Sequence, residues 1–395
     1  MMKIPMSSPD ITEVEISAVN QVLRTPVLSI GPYISDFERK MAQTIGVAHA
    51  VGVNSGTSGL HLATIAAGVT TGDLVITPPF SFVASSNVIL YERAIPIFVD
   101  VDKATANIDP ALAAEAADDL SRWSAGAQRW LPPSLKIPAS NFHRLKSLLP
   151  VHAFGQPADM SLLLEIASKH NLTVVEDACE AVGATYKGRQ VGTFGDAAVF
   201  AFYPNKQMTT GEGGMIVTNK DDWDRLFRSL RNQGRDVFDA WLNHSRLGYN
   251  YRLDELSAAL GVVQLERIEE LLEKREKVAR WYNERLAGSE LIERPYIAPA
   301  TTRMSWFVYV IRINPRIDRK EVIKELEAMG IPSRPYFVPI HLQPFYGERF
   351  GYKRGDFPVT EYLGDVSLAL PFSGIMTEDQ VDYVCRNLIK ISQKG

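Results

Sequence analysis

Lys206 stands between an apolar run, Ala197 to Phe202, and a glycine-rich stretch, Gly211-Glu212-Gly213-Gly214, that leads into a second apolar run, Met215 to Thr218. A lysine between a buried strand and a tight turn points into a crevice, where its amine can form a Schiff base with a carbonyl. The cofactor expected to use such a lysine is pyridoxal phosphate, whose ring acts as an electron sink. A solvated loop lysine would explain the same residues, so the rest of the chain has to supply the partners of such a site.

Such a cofactor needs a carboxylate against its pyridine nitrogen, because the protonated ring withdraws electrons best. Asp177 is the candidate: it ends the β-branched run Leu172 to Glu176, after a helical stretch from Asp159 to His170, and so falls at the carboxyl end of an expected parallel strand. A helix N-cap pair is the competing reading of Glu176-Asp177. A phosphate needs a cradle, and Asn54-Ser55-Gly56-Thr57-Ser58-Gly59 precedes the helix-forming run Leu60 to Ala67. Free amides and hydroxyls at a helix start suit an anion, although small capping residues of an ordinary helix look the same. Phe82, after the strand expected over Leu74 to Thr77, is the candidate to stack on the ring, with a core phenylalanine as the alternative.

These segments stand in a familiar order. Together with Val151-His152-Ala153-Phe154-Gly155-Gln156-Pro157-Ala158-Asp159 and Gly248-Tyr249-Asn250-Tyr251-Arg252, they make the chain resemble the DegT/DnrJ/EryC1/StrS sugar aminotransferases, from about Ile4 to near the C-terminus. The resemblance implies fold type I of the pyridoxal-phosphate-dependent transferases. It also implies that Lys206 holds the cofactor, Asp177 meets the ring nitrogen, Phe82 stacks on the ring, and Gly56, Thr57 and Ser58 bind the phosphate. Asn250 would reach the same phosphate from the other subunit of a homodimer with shared sites. Two positions depart from the pattern. Ala201 replaces a serine whose hydroxyl contacts the phosphate in many relatives, and Glu180 replaces glutamine or histidine near the ring hydroxyl. A carboxylate there repels a phenolate unless it is protonated or turned away.

The implied reaction moves an amino group from an amino acid, expected to be glutamate, to a nucleotide-linked keto sugar by ping-pong kinetics. The run Thr209 to Gly214 looks more like relatives that aminate C4 of 4-keto-6-deoxy sugars than those acting at C3, and Lys206 argues against the C3 deoxygenation that uses histidine instead. The alternatives are a C3 keto sugar, an inosose, or a non-catalytic regulatory protein that binds cofactor or sugar. Ala201 and Glu180 are the only support for that last reading, and Lys206 with Asp177 counts against it. His341 and Arg246 are candidate substrate contacts, His152 and Arg252 weaker ones, and each has an ordinary structural explanation.

Positioning these residues takes an α/β layer. Strands alternate with helices from about Ser29 to Asn219, which predicts a mainly parallel sheet with helices on both faces. The expected division is a large cofactor-binding domain over 1–250 and a smaller α+β domain over 251–395, beginning with an amphipathic stretch from Asp254 to Leu286. Ser305 to Ile313 reads as a strand, and Asp318 and Thr377 have capping-box spacing. Residues 118–146 look like an insertion, with Trp123, Trp130 and a Pro132-Pro133 break. A surface elaboration is favoured there, against tryptophans packed over the cleft or on a partner.

The 395 residues are 46% hydrophobic and carry a formal charge of −4, enough for a large core and too acidic for an electrostatic nucleic-acid binder. The two cysteines form no disulfide framework and point to the cytoplasm, no membrane-length apolar run occurs, and the seven histidines lack metal-ligand spacing. A dinucleotide enzyme would need a Gly-x-Gly-x-x-Gly turn, which is missing.

Overall fold

The computed structural model describes residues 4–135, 144–236 and 243–394. Two helices, α1 (Glu13–Leu23) and α2 (Pro32–Ile45), lead into an alternation of β1 (His49–Val53), α3 (Gly56–Ala66), β2 (Leu74–Thr77), α4 (Ala84–Tyr91), β3 (Ile95–Phe98), α5 (Pro110–Arg122), β4 (Leu145–Leu148), α6 (Met160–His170) and β5 (Thr173–Asp177). A hairpin, β6 (Thr185–Tyr186) and β7 (Arg189–Gln190), precedes β8 (Ala197–Ala201), β9 (Gly214–Thr218) and α7 (Asp221–Arg231). Seven of these strands form one sheet in the order β1-β9-β8-β5-β4-β2-β3. β9 runs antiparallel to both neighbours, and the pairings from β8 to β3 are parallel. The sheet is therefore the mainly parallel α/β layer that the alternation implies.

The second half contains α8 (Glu255–Glu266), α9 (Ile268–Arg285), β10 (Ile292–Glu293), β11 (Thr301–Arg303), β12 (Tyr309–Ile313), α10 (Arg319–Ala328), β13 (Arg334–Pro335), α11 (Pro344–Phe350), α12 (Pro358–Val366), β14 (Ser367–Leu370) and α13 (Glu378–Ser392). Four strands make an antiparallel sheet, β10-β12-β14-β13, and β11 pairs with β6. The single stretch expected from Asp254 to Leu286 is two helices that meet at Arg267, whose guanidinium is bound by Asp10, Glu15 and Glu270. Thr377 forms a full capping box, whereas Asp318 caps α10 through the Lys320 amide, and a second box at Thr12 and Glu15 opens α1.

Alternation along β8 shows why its apolar run is a strand buried on both faces. Ala198 and Phe200 pack among Phe37 of α2 and Ala258 of α8, while Ala197 and Val199 pack among Leu60 of α3 and Phe227 of α7. A separate core, with Tyr282, Tyr309 and Leu388, joins α9, β12 and α13, and Ile4 from the N-terminus inserts into it. In the inserted segment, Trp123 and Trp130 are half-buried against the core that α5 and α6 form on β2 and β4, and the Trp130 indole donates to Asp119 at 2.9 Å. They cover this edge of the chain's own core instead of the cleft. Residues 136–143 of the insertion lie outside the described residues.

Candidate active site

The parallel strands end on one side of the sheet, and the loops leaving them enclose a cleft of about 420 Å3. Gly56 and Thr57 reach it from the loop after β1, Phe82 from the loop after β2, Asp177 from the end of β5, and Lys206 from the connection between β8 and β9. β5 and β8 are adjacent, which is why residues far apart in sequence meet. The lysine connection is closed at its base, where the Phe202 amide donates to Gly213 and the Thr210 amide to Phe202, at 3.0 and 2.9 Å. Phe307, Tyr336 and Phe337 from the second half line the cleft too.

Asp177 is nearly buried and its two oxygens are oriented by separate donors. The Ser85 hydroxyl donates to Oδ2 at 2.7 Å and the Cys179 amide to Oδ1 at 3.1 Å. Ser85 is in turn 2.7 Å from the Ser81 hydroxyl. Each such charge-assisted bond is worth about 1.5–3 kcal/mol, so the carboxylate is fixed before any ligand arrives.

Lys206 places Nζ 3.8 Å from the centroid of the Phe307 ring and 3.7 Å from Glu180 Oε1. Glu180 is held away from free rotation because Oε2 accepts from the Phe154 amide at 2.9 Å. Burial raises its pKa above the ordinary carboxylate value, and the charge of Asp177 adds to this against the opposing pull of Lys206. The departure at position 180 thus keeps one oxygen toward the cleft and is made easier to protonate. Burial also pushes the Cys179 thiol far up, so this cleft cysteine is no thiolate nucleophile, and it lifts the Tyr336 hydroxyl to about 12.

At the start of α3, the Ser58 amide bonds Ser55 Oγ and the Gly59 amide bonds the Ser55 carbonyl, which leaves the first-turn amides of Gly56 and Thr57 without acceptors inside the helix. A Cβ at Gly56 would stand 2.8 Å from both Ala201 Cβ and Cys179 Sγ, so only glycine lets the helix start lie on the floor of the cleft. Ala201 itself lines the cleft and offers no hydroxyl there. An amine, a braced carboxylate and an amide cradle on one cleft make a donor set that fits pyridoxal phosphate.

The other candidates lie elsewhere. Ser58 is taken up by the cap, with its hydroxyl 2.6 Å from Asn54 Oδ1. Asn250 is exposed outside this cleft, its carbonyl 3.5 Å from the Asn54 side-chain nitrogen Nδ2. Arg246 pairs with Asp236 at 2.8 Å and Arg252 donates to Asn232 at 3.0 Å, neither among the lining residues. His341 is fully buried, bonded to Glu361 at 3.0 Å, and burial holds its pKa down; it fixes the proline-rich turn away from the cleft. His152 is likewise buried, with Nδ1 accepting from the Ala158 amide and Nε2 facing Glu176. Sequence reasoning passed over Ser85, which lies one helical turn past Phe82 and could have been found by following that turn. Phe307 and Tyr336 sit in no local motif.

The profile of the DegT/DnrJ/EryC1/StrS aminotransferase family matches residues 9–389. The chain belongs to that family. Its members depend on pyridoxal phosphate, and the DegT-family chain described here is an enzyme of that kind, a transaminase. It is 40% identical over 370 residues to GDP-perosamine synthase of Caulobacter vibrioides, a match covering 93% of this chain and 92% of that one. It is 34% identical to the spore coat polysaccharide biosynthesis protein SpsC of Bacillus subtilis, over 98% of this chain and 97% of the relative. Among solved structures, S. venezuelae DesV in complex with a ketimine intermediate superposes with a TM-score of 0.86 at 30% identity, covering 100% of this chain and 99% of DesV. This DegT-family chain therefore has the type I fold as well as the family sequence.

Proposed function

We propose that this chain transfers the amino group of glutamate to a nucleotide-linked keto sugar, a 4-keto-6-deoxy sugar, with Lys206 as the residue that holds pyridoxal phosphate and moves the proton. The observation that carries this reading is the amine of Lys206 and the braced carboxylate of Asp177 on one cleft of a family aminotransferase. Pyridoxal phosphate, when bound, supplies the electron sink for the α-carbon of the donor. The rest falls to the chain. Gly56 and Thr57 would hold the phosphate through the amides that open α3. Asp177 would keep the ring nitrogen protonated, and Phe82 would cover the ring against water. Lys206 Nζ would take the α-proton of the donor as general base and return a proton to the sugar carbon in the second half-reaction. One lysine serving both halves gives ping-pong kinetics.

The acceptor class is supported by the Caulobacter relative, whose name gives a GDP-linked product, and a role in polysaccharide biosynthesis by the Bacillus relative. The run Thr209 to Gly214 supports amination at C4. Of the ionisable residues lining the cleft, Asp177, Glu180 and Glu212 are acidic and Lys206 is the one cation among the described lining residues. A cofactor phosphate and an anionic substrate call for more positive charge, which supports a homodimer in which the partner subunit's Asn250, with the partner subunit's Arg246 and the partner subunit's Arg252 nearby, closes the site. Exposed apolar side chains suited to such an interface include Val14, Leu23, Ile30 and Leu247. Free thiols at Cys179 and Cys385 support a cytoplasmic enzyme, and no helix of the described residues is long and apolar enough to cross a membrane.

The test is the absorbance of the purified protein with pyridoxal phosphate, before and after glutamate, with Lys206→Ala as control. A lysine-linked band that glutamate converts to the pyridoxamine form is expected, followed by turnover with GDP-linked, UDP-linked or dTDP-linked 4-keto-6-deoxy sugars. A band that persists in Lys206→Ala overturns the lysine assignment, and no turnover of any of the three sugars overturns the acceptor.

A further inference from the structure

Behind the lysine lies a buried cation. Arg275, on α9, is 3% exposed, and among the described residues no carboxylate pairs with it. Among the described residues its guanidinium donates to main-chain carbonyls alone: NH1 to Trp306 and Phe307 at 3.3 and 3.2 Å, NH2 to Asn205 at 3.3 Å and to Lys206. One planar fork thus binds the backbone of the lysine together with the backbone of the ring on which the lysine amine rests. The contacts continue around the amine. The Phe307 amide donates to the Phe154 carbonyl at 3.3 Å, the Phe154 amide to Glu180, and Glu180 faces Lys206 Nζ. Phe154 and Trp306 both adopt left-handed backbone, at φ 61° and 51°, a conformation that persists in non-glycine residues only when surrounding bonds hold it. Gly155 allows the two turns to touch, since a Cβ there would stand 2.9 Å from the Trp306 amide nitrogen.

We propose that Arg275 is a positioning residue for Lys206. This inference rests on Lys206 being the cofactor lysine. The fork fixes the lysine main chain relative to the Phe307 ring and Glu180, so that Nζ reaches the same point in each half-reaction. Lysine, with a compact ammonium, matches fewer of these carbonyls than the five-donor guanidinium. The charge has a second effect. A desolvated cation bonded to the carbonyl of the lysine itself disfavours a second positive charge on that side chain, and its removal is expected to move upward the pH at which the cofactor-lysine linkage loses its proton. Asp177, Glu180, Cys179, Glu212, Tyr203 and Tyr336 line the cleft with the lysine and are present in enzyme and variants alike, so the comparison varies Arg275 alone.

The experiment compares pyridoxal-phosphate-loaded enzyme with R275K and R275M by absorbance against pH, steady-state kinetics with glutamate, and thermal unfolding. R275M is expected to raise the absorbance midpoint by on the order of one pH unit, whereas R275K leaves it near that of the enzyme. Both variants should lower kcat by on the order of tenfold to a hundredfold with little change in KM for glutamate. Folded variants whose midpoint and kcat match those of the unaltered enzyme overturn the proposal. If R275M does not fold, R275K decides through kcat alone, and if neither folds, Arg275 is a stability residue and the proposal is withdrawn. A cofactor band in the unaltered enzyme that survives Lys206→Ala marks failure of the lysine assignment, which these variants do not affect.

Discussion

Glu176 and Asp177 are consecutive carboxylates on β5 with opposite surroundings. Glu176 is fully buried and accepts from the amides of Gly192, Phe194 and Gly195, at 2.7–3.0 Å, and faces His152 Nε2 at 3.1 Å. Asp177 has two protein donors and faces an open cleft. A strand turns successive side chains to opposite faces, so one residue step separates an acid whose acceptor sites are filled by its own fold from one that keeps capacity for a ligand. The count of internal donors, more than burial or acidity, distinguishes the acid taken up by the fold from the one left open to a ligand.

The sharpest break of this comparison is Asp177→Asn, which keeps the shape and removes the charge. It is expected to lower kcat by about 10²- to 10³-fold with little loss of stability, read by steady-state kinetics beside a thermal melt. The converse substitution, Glu176→Gln, leaves three amides facing a weaker acceptor. Urea unfolding should show a loss of about 2–4 kcal/mol, while the kcat of the folded fraction stays within about twofold. A large kinetic defect in Glu176→Gln would erase the distinction. Ser85→Ala removes one brace from Asp177 and should reduce kcat by about tenfold, the factor matching roughly 1.5 kcal/mol. An unchanged kcat would mean that the Cys179 amide orients the carboxylate alone.

Glu180 gives the smallest and most specific effect. Its pKa in the folded chain lies above the ordinary 4.5, chiefly through burial, so the folded state holds its proton over a pH range in which the unfolded chain has lost it. Stability from this group therefore falls as pH rises from about 4.5 through the raised value, because the unfolded state binds fewer protons there. Unfolding of the cofactor-free protein across that range should lose this downward contribution in Glu180→Gln. Parallel pH curves for the two proteins would show that Lys206 compensates the carboxylate completely.

Much of this arrangement was legible in the sequence because parallel strands announce themselves locally. The apolar run before Lys206, the β-branched run before Asp177 and the small residues before Leu60 each mark where a strand ends or a helix begins, and the sheet brings those ends together. The break at Arg267 was hidden, since a continuous amphipathic pattern does not reveal that ion pairs to Asp10 and Glu15 hold the junction. The burial of His341 depends on Glu361, twenty residues on, and the bracing by Ser85 depends on which way one turn of α4 faces. Phe307 and Arg275 were out of reach because their contacts are with main-chain atoms and a ring, which leave no pattern of residue types.

The cleft also has an order of assembly. Lys206, Asp177 and the start of α3 leave the ribosome well before Phe307, Tyr336 and Phe337, which form the far wall. All seven strands of the large sheet are synthesised by Thr218, before the residues that cover the Lys206 amine from the far side. A chain truncated before Phe307 would carry the lysine without the far wall of its cleft.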